Sequence, residues 1–380
     1  MTHRLTAAIF AAALGVAAQT KDPANLLADA EGLAAPGQLR AAAGRTALVF
    51  RGAQGESGFN LHSYLAHFDG RFWAMWSSAK VGEEDPDQYL VYATSTNGFE
   101  WSATHTLAAD PDGPAGEKRW IARGLFVEGG RLKALGALVE SADYGKRGKD
   151  VVWKNLTLIQ FTWSGAEWKE DGVFAPDCMN NFPPFRLAGQ FVMPCRDSRM
   201  DLKVLRSDAP LSGRWTGVAI YSEPPFHRMD EPTLYTAQDG STQMIIRDGT
   251  RSGFLLRAVS RDSGVTWSRP VRTNYPDATS KNFVMRLSNG LYVLINNPDP
   301  KRRDPLAISV SKDGWSFGSP VAVRKEAPAR RYEGRAKGSG SFQYPHAIEH
   351  EGSLWVIYST NKEDIEVTRI RLADLGAGSR

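Results

Sequence analysis

The eight residues that begin at Ser260 constrain the fold of this chain more than any other stretch. They read Ser-Arg-Asp-Ser-Gly-Val-Thr-Trp and fit the Asp-box pattern Ser-x-Asp-x-Gly-x-Thr-Trp. In such a turn Asp262 accepts hydrogen bonds from turn amides, Gly264 takes backbone angles that side chains disfavour, and Trp267 packs against the sheet. An Asp box joins two antiparallel strands, so it marks a fold and not a catalytic site.

The stretch before this box predicts the rest of a repeating unit. Apolar and polar residues alternate on both sides of Asp239-Gly240, as expected for a β-hairpin. A hairpin with a glycine turn, a third strand and a box with an aromatic residue recur along the chain. The six copies are Phe59–Trp101, Trp120–Trp168, Asn181–Trp215, Glu231–Trp267, Lys281–Phe317 and Gln343 to about Leu372.

Six antiparallel units of this kind predict a closed ring. Radially arranged sheets leave few exposed edges, which is why such repeats close. The sixth unit lacks a clear outer strand, and Thr46–Phe50 can supply it from upstream of the first unit. We therefore predict an all-β, six-bladed β-propeller over residues 43–375.

The N-terminus predicts export. A basic start, Met1–Arg4, precedes an apolar run that ends in small residues at Ala18, which is typical of a signal peptide over residues 1–18. Residues 19–42 are rich in alanine and leucine, and we expect them to form a short arm or helix outside the core. The predicted location is secreted or periplasmic.

Composition limits the remaining classes of function. The 46 basic and 42 acidic residues give a net charge of +4 without the charge clustering of nucleic-acid-binding proteins, and no apolar run is long enough to span a membrane. The two cysteines, Cys178 and Cys195, flank one predicted hairpin. They form either a single disulfide or two buried thiols, and nothing resembles a zinc ligand set.

The innermost strands of a propeller begin around its central channel, so their first residues converge on one face. Counting eight residues back from each turn glycine gives His62, Ala122, Asn181, Pro232, Asn282 and Tyr344. Ionisable residues stand beside three of these positions: Arg123, Glu231 and His346. Solvation of a channel by neutral polar groups explains the two asparagines better than it explains the imidazole, the carboxylate and the phenol.

The repeat, the Asp box and the blade that begins at Glu231 resemble the sialidase superfamily over roughly residues 45–372. In that family a glutamate opens an inner strand and an arginine follows sixteen residues later, a spacing that Glu231 and Arg247 share. The resemblance implies that Tyr344 is a nucleophile, that Glu231 is its base and that Arg247 grips a substrate carboxylate. It thus implies a glycoside hydrolase acting on an acidic oligosaccharide or polysaccharide.

The first blade departs from the family pattern. Sialidases open this blade with Phe/Tyr-Arg-Ile-Pro, and this chain has Phe59-Asn60-Leu61-His62. Loss of the arginine removes a charge-assisted bond of about 1.5–3 kcal/mol, so we expect an activity other than strict sialic-acid hydrolysis. His62 resembles a branch of similar propellers that cleave rhamnose–glucuronate linkages as rhamnosidases or lyases. It would then act as acid or base, with an arginine neutralising the carboxylate and Tyr344 or His346 as the second proton carrier.

Further substrate contacts are predicted from position. Arg196 occupies in the third blade the place that Arg247 occupies in the fourth, and Arg303 ends a polar loop of the fifth. The full predicted binding set is Arg123, Asn181, Arg196, Arg247, Asn282, Arg303 and His346. No cofactor is required, although Asp277–Asn282 could bind sugar hydroxyls or a structural calcium ion. The alternative function, from a different functional class, is that of a non-catalytic propeller that binds glycans.

Overall fold

The computed structural model describes residues 21–83, 86–112, 118–140, 153–220, 228–332 and 340–375. The predicted signal peptide lies outside these residues. No helix in the described part of the chain is long and apolar enough to cross a membrane.

The described residues form six antiparallel sheets, which confirms the predicted six-bladed β-propeller. The first strand along the chain, β1 (Gly44–Phe50), belongs to the last blade. Blade one contains β2 (Phe59–Phe68), β3 (Arg71–Ala79), β4 (Tyr89–Ser95) and β5 (His105–Ala108). Blade two contains β6 (Lys118–Glu128), β7 (Arg131–Glu140), β8 (Lys154–Trp163) and β9 (Trp168–Pro176). Blade three contains β10 (Met179–Asn180), β11 (Phe185–Leu187), β12 (Gln190–Arg196), β13 (Leu202–Ser207) and β14 (Thr216–Ala219).

The other three blades follow the same order from the channel outwards. Blade four contains β15 (Met229–Thr236), β16 (Thr242–Asp248), β17 (Phe254–Ser260) and β18 (Val271–Pro276). Blade five contains β19 (Phe283–Arg286), β20 (Tyr292–Asn296), β21 (Leu306–Ser311) and β22 (Val321–Arg324). Blade six contains β23 (Phe342–His350), β24 (Ser353–Thr360) and β25 (Asp364–Arg371), with β1 as its outer strand. Single turns of helix occur at Pro36–Gln38, Pro210–Ser212 and Leu372–Leu375.

Strand β1 closes the ring as predicted. It pairs antiparallel with β25 from Gly44 opposite Ile370 to Phe50 opposite Ile365. One sheet thus contains both ends of the propeller chain, so blade six has no unpaired third strand.

The Asp box at Ser260 has the predicted geometry. Asp262 Oδ1 accepts the Thr266 amide at 2.8 Å, and Gly264 has a φ of +80°. The Trp267 indole donates to the Gly264 carbonyl at 3.2 Å and packs against the apolar residues between blades three and four. The box therefore fixes the outer turn of blade four and lies outside the channel.

The apolar core is divided among the contacts between neighbouring blades. One cluster joins blades one and two, for example, through Trp73, Leu90, Trp120 and Phe161. Cys178 and Cys195 lie in the cluster between blades two and three and form a disulfide, with Cα atoms 5.2 Å apart. The sequence had left the state of this pair open.

The expectation that the N-terminal arm lies outside the core is wrong for its described part. Leu26 and Leu27 are 0% and 2% exposed and pack between blades four and five. Their amides both donate to Asn274 Oδ1, at 2.9 and 2.8 Å, and Leu27 forms a β-bridge with Phe317. The alanine- and leucine-rich segment is extended because the blades satisfy its backbone groups.

His346 joins blades one and six at their inner strands. Its Nδ1 accepts the Leu65 amide at 3.1 Å, and its ring lies against Tyr64 and Phe283, with centroids 5.4 and 4.8 Å away. Burial, with a smaller contribution from the charge of Lys281, lowers the pKa of His346 to about 3. The imidazole is therefore neutral in the folded protein.

Shortening Leu27 should destabilise the propeller through its N-terminal arm. We expect Leu27→Ala to lower the free energy of unfolding by about 2–5 kcal/mol, because the side chain is buried in a packed cluster. Denaturant unfolding of the full chain measures this. Leu211→Ala is the matched control, since Leu211 is 49% exposed and should change stability by no more than about 0.5 kcal/mol. Equal effects of the two substitutions would contradict the packing of the arm.

Acid should destabilise the protein through His346. The unfolded imidazole takes up a proton below about pH 6.5 and the folded one does not until about pH 3, so stability falls as the pH drops through this range. Between pH 7.5 and pH 5 the loss from this group is about 2 kcal/mol. In His346→Gln the difference in unfolding free energy between these two pH values should shrink by that amount, whereas the exposed His105→Gln should leave it unchanged. An unchanged difference in His346→Gln would refute the assignment.

Candidate active site

Four inner strands carry a β-bulge at the same level of the channel. The pairing register shifts between Leu61 and Tyr64, Ala122 and Gly124, Asp230 and Thr233, and Gln343 and His346. The displaced segments contain His62, Arg123, Glu231 and Tyr344. Bulges redirect side chains and are common beside functional sites.

Three of these bulges hold a residue in the left-handed backbone region. The φ angles are +57° at His62, +45° at Glu231 and +59° at Tyr344. Side chains disfavour this region, and each such residue costs about 1–3 kcal/mol. The three residues that were predicted to be catalytic therefore share one strained conformation in three different blades.

Glu231, Arg247 and Tyr344 meet in direct contact. Arg247 Nη1 lies 2.6 Å from Glu231 Oε2 and 3.3 Å from the Tyr344 hydroxyl oxygen. The phenol also hydrogen-bonds the Glu231 carboxylate. The predicted nucleophile, its base and a binding arginine are thus brought together from blades six and four.

The protonation states of this trio follow from burial and charge. Burial disfavours the ionised form of Glu231, but the charges of Arg247 and Arg196 and the bond from Tyr344 outweigh it and hold the pKa of Glu231 well below its usual range. Burial, with the neighbouring charge of Glu231, raises the pKa of Tyr344. Tyr344 is therefore a neutral phenol close to an ionised carboxylate.

His62 lies on the other side of Tyr344. The two rings meet edge to face with centroids 5.2 Å apart, and His62 Nε2 is 3.6 Å from Glu83 Oε1. Burial, and then the charge of Arg123, lower the pKa of His62 well below its ordinary value. Its buried Nδ1 has no hydrogen-bond partner among the described residues. This imidazole is neutral and can accept a proton.

Glu83 was not predicted from the sequence. It lies in the loop after β3, and burial opposes its charge, but the ion pair with Lys362 and the proximity of His62 lower its pKa to about 2. No motif marks it, because only the approach of the loop between β24 and β25 gives it a partner. An ionised Glu83 can orient His62 and stabilise its protonated form.

Two further arginines of the predicted binding set, Arg196 and Arg303, have partners in blades four and six and in the segment before blade five. Arg196 contacts Asp230 at 3.1 Å, and the same carboxylate also pairs with Arg228 at 3.3 Å. Arg303 donates to Gln343 Oε1 at 2.6 Å and to the Thr279 carbonyl at 2.9 Å. Arg303 thus has neutral partners and keeps its charge available to a ligand.

Arg123 and Lys281 approach the channel from blades two and five. Lys281 Nζ lies 3.2 Å from the Tyr64 hydroxyl oxygen, which itself donates to the Asn181 carbonyl at 2.7 Å. The charge of Arg123 also acts on this phenol. The ammonium lies over the rings of Tyr64 and Phe182, 4.4 and 4.2 Å from their centroids. Burial lowers the pKa of both cations. Lys281 was not predicted as a site residue, since a single lysine before a strand carries no signal.

The remaining predicted residues have different positions. Asn181 donates to the Glu231 carbonyl at 3.1 Å, so it supports the bulge of blade four. Asn282 is fully buried, and its amide atoms have no partner among the described residues. His346 packs among the rings of Tyr64, Phe182 and Phe283 and accepts the Leu65 amide.

Asn60 has a structural part in the slot where sialidases have arginine. It is fully buried, accepts the Trp76 indole N–H at 3.0 Å and donates to the carbonyls of Ser57 and Glu363 at 2.8 and 2.7 Å. Its amide is therefore used to hold loops together and does not reach a ligand.

The structure does not support a calcium site at 277–282. Within the described ranges, no three acidic, histidine or cysteine residues are grouped to hold a metal ion. Asp277 is buried and accepts the Ser280 amide at 2.9 Å. Burial raises its pKa to about 7, so this carboxyl does not provide the stable negative charge that a hard cation needs.

Comparison with known proteins agrees with this architecture. A family model described as a BNR repeat-like domain matches residues 70–357. A search of curated proteins finds no significant match. The family match covers most of the propeller, from β3 of blade one into β24 of blade six.

Three solved structures with a similar fold are a sialidase, a protein of unknown function and a trans-sialidase. A sialidase aligns with a TM-score of 0.63 at 21% identity, over 88% of this chain and 34% of that one, so this chain spans about a third of its length. A protein of unknown function from Dyadobacter fermentans aligns with a TM-score of 0.65 at 15% identity, over 89% of this chain and 100% of that one. The intramolecular trans-sialidase from Ruminococcus gnavus, bound to oseltamivir carboxylate, aligns with a TM-score of 0.62 at 12% identity, over 87% and 98%. This chain belongs to the BNR repeat-like family and has the six-bladed propeller fold of the sialidase-like proteins.

Proposed function

We propose that this chain is an exported enzyme that removes a terminal, carboxylate-bearing sugar from an acidic glycan. The observation that carries the proposal is the contact of Arg247 with both Glu231 and Tyr344 at the channel mouth. A phenol beside an ionised carboxylate and a guanidinium is an activated nucleophile next to a carboxylate-binding group.

In this mechanism Arg247 and Arg303 bind the sugar carboxylate. The Tyr344 oxygen attacks the anomeric carbon, and its proton passes to Glu231 as the bond to the leaving sugar breaks. The leaving oxygen takes a proton from His62, whose protonated form the bound anion and Glu83 stabilise. Water then attacks the glycosyl–tyrosine bond, giving its proton to His62, and the phenol regains its own from Glu231.

A second reaction is favoured by one specific observation, the neutral His62 with its unpartnered Nδ1. On a uronate-containing glycan, His62 removes the proton next to the carboxylate while Arg247 neutralises the negative charge. The bond to the leaving oxygen breaks, a carbon–carbon double bond forms, and Tyr344 protonates that oxygen. The products are those of a polysaccharide lyase acting on linkages such as rhamnose–glucuronate.

Removing the Tyr344 hydroxyl or the Glu231 charge should abolish hydrolysis. We expect Tyr344→Phe and Glu231→Gln each to lower kcat/KM by about 10²–10⁴-fold, because proton transfer and covalent attack both need these groups. Release of sugar from a panel of acidic glycans measures this. Tyr92→Phe and Glu170→Gln, both far from the channel on outer strands, are the matched controls and should stay within about twofold.

The outcome of this experiment also separates the alternatives. Wild-type activity that survives in both variants would refute the nucleophile. Tight glycan binding without turnover by the wild type would instead support a non-catalytic binding propeller.

The pH dependence should distinguish hydrolysis from elimination. Hydrolysis needs protonated His62, whose pKa in the free protein is lowered well below its ordinary value, so kcat/KM should rise steadily as the pH falls through the neutral and mildly acidic range. Elimination needs the neutral imidazole, so its kcat/KM should stay level over the same range and its product should absorb in the ultraviolet. A level profile without an unsaturated product would contradict both roles for His62.

A further inference from the structure

The cations around Tyr344 form two separate groups. Lys281 Nζ and the Arg303 guanidinium carbon each lie 5.8 Å from the centroid of the Tyr344 ring. Arg247 is the cation that acts most strongly on Arg303, whereas Arg123 and Arg196 are the cations that act most strongly on Lys281. We therefore treat Arg247 with Arg303, and Arg123 with Lys281, as two groups of basic residues around Tyr344.

The group on the Arg303 side is matched to a single carboxylate. Arg247 already binds Glu231, and Arg303 has only the neutral partners Gln343 and Thr279. One additional anion balances this side. This is the carboxylate site on which the proposed function depends.

The group on the Arg123 side has positive charge that this carboxylate does not balance. Arg123 is 3% exposed, and its Nε and Nη1 have no hydrogen-bond partner among the described residues. Lys281 is fully buried and donates to the Tyr64 hydroxyl, which is neutral. Neither cation forms an ion pair within the described residues. The carboxylate whose charge acts on both, Glu231, is paired with Arg247. Asp230 is shared by Arg196 and Arg228.

Buried cations without a counter-charge are unfavourable, because the lost hydration is not replaced. Two donors of the Arg123 guanidinium, Nε–H and Nη1–H, lack a partner within the described residues, and an oxyanion is the acceptor that a guanidinium binds most strongly. His62 Nδ1 also has no hydrogen-bond partner among the described residues. After burial, the charge of Arg123 is the strongest cause of the lowered pKa of this imidazole.

We propose that Arg123 binds a second oxyanion, so that the substrate of the proposed function is a doubly anionic glycan. Its carboxylate occupies Arg247 and Arg303, and a sulfate ester, phosphate or second carboxylate occupies Arg123. This inference names the substrate class of the proposed site, yet binding to Arg123 needs no turnover and is measured separately.

Calorimetric titration of the full chain with inorganic sulfate and with methyl glucuronide tests the two sites. Arg123→Gln should weaken sulfate binding at least tenfold and Arg303→Gln should change it less than threefold, while methyl glucuronide shows the reverse order. Saturating methyl glucuronide should not displace sulfate. The exposed Arg199→Gln is the control for a general loss of charge and should alter neither ligand. Inorganic phosphate in place of sulfate shows which oxyanion the site prefers.

Loss of sulfate binding in Arg303→Gln, or competition between the two ligands, would show one shared site and overturn the inference, as would no sulfate binding by the wild type. If Arg123→Gln does not fold, crystals of the wild type soaked in selenate decide the question. An anomalous peak beside Arg123 supports the second site, and a peak only beside Arg303, or none, refutes it. Sulfate binding that persists in an inactive Tyr344→Phe separates this result from the fate of the proposed reaction.

Discussion

The left-handed backbone at His62, Glu231 and Tyr344 is the constraint on which the site depends. Each residue is strained by about 1–3 kcal/mol, and no local interaction of a single strand offsets this. The free energy that compensates for this backbone strain comes from the apolar contacts between neighbouring blades, which hold the six inner strands around one axis. Strand β1 completes the last of these blades by pairing with β25, so the ends of the propeller chain are tied together in the sheet that carries Tyr344. Strain at the channel and closure at the rim are thus two parts of the same arrangement.

The charged groups at the mouth are also stabilised by contacts between blades, which compensate for their burial. Glu231 is ionised although it is buried, because Arg247 and Arg196 stabilise its negative charge more than burial disfavours it. Tyr344 keeps its proton beside that carboxylate, and its pKa is raised by burial and by Glu231. A site in this state has its reactive groups paired with each other, and a ligand carboxylate that competes for Arg247 would release Glu231 to act as a base. In the proposed mechanism, binding of the substrate carboxylate and activation of the nucleophile are therefore coupled through Arg247.

Much of the fold could be predicted because its signals lie in short stretches of the sequence. The Asp box, the glycine turns and the missing outer strand of blade six all lie within short stretches, so the propeller and its closure by β1 follow from them. Glu83 and Lys281 could not be predicted, since their surroundings come from loops and strands distant in the chain. His346 was expected at the mouth because it follows Tyr344 by two residues, but the bulge inserts one residue and reverses the alternation, which turns it into the aromatic packing. The N-terminal arm was misjudged because its composition gave no sign of the Asn274 side chain that holds it.

The loss of arginine from the first blade is not a loss of positive charge from the site. Asn60 is buried in bonds to Trp76 and to two loop carbonyls, so a longer charged side chain at this position would have to displace these contacts. Basic residues come instead from blades two and five, as Arg123 and Lys281, and Lys281 lies as near the Tyr344 ring as Arg303 does, at 5.8 Å from its centroid. Moving charge around the ring in this way alters where an anionic group can bind relative to the nucleophile while the fold stays the same. The blades of a propeller share one backbone structure, so a charged side chain can be placed on any of them without changing the fold. The anionic ligand that this mouth can bind therefore depends on which blades carry the basic residues.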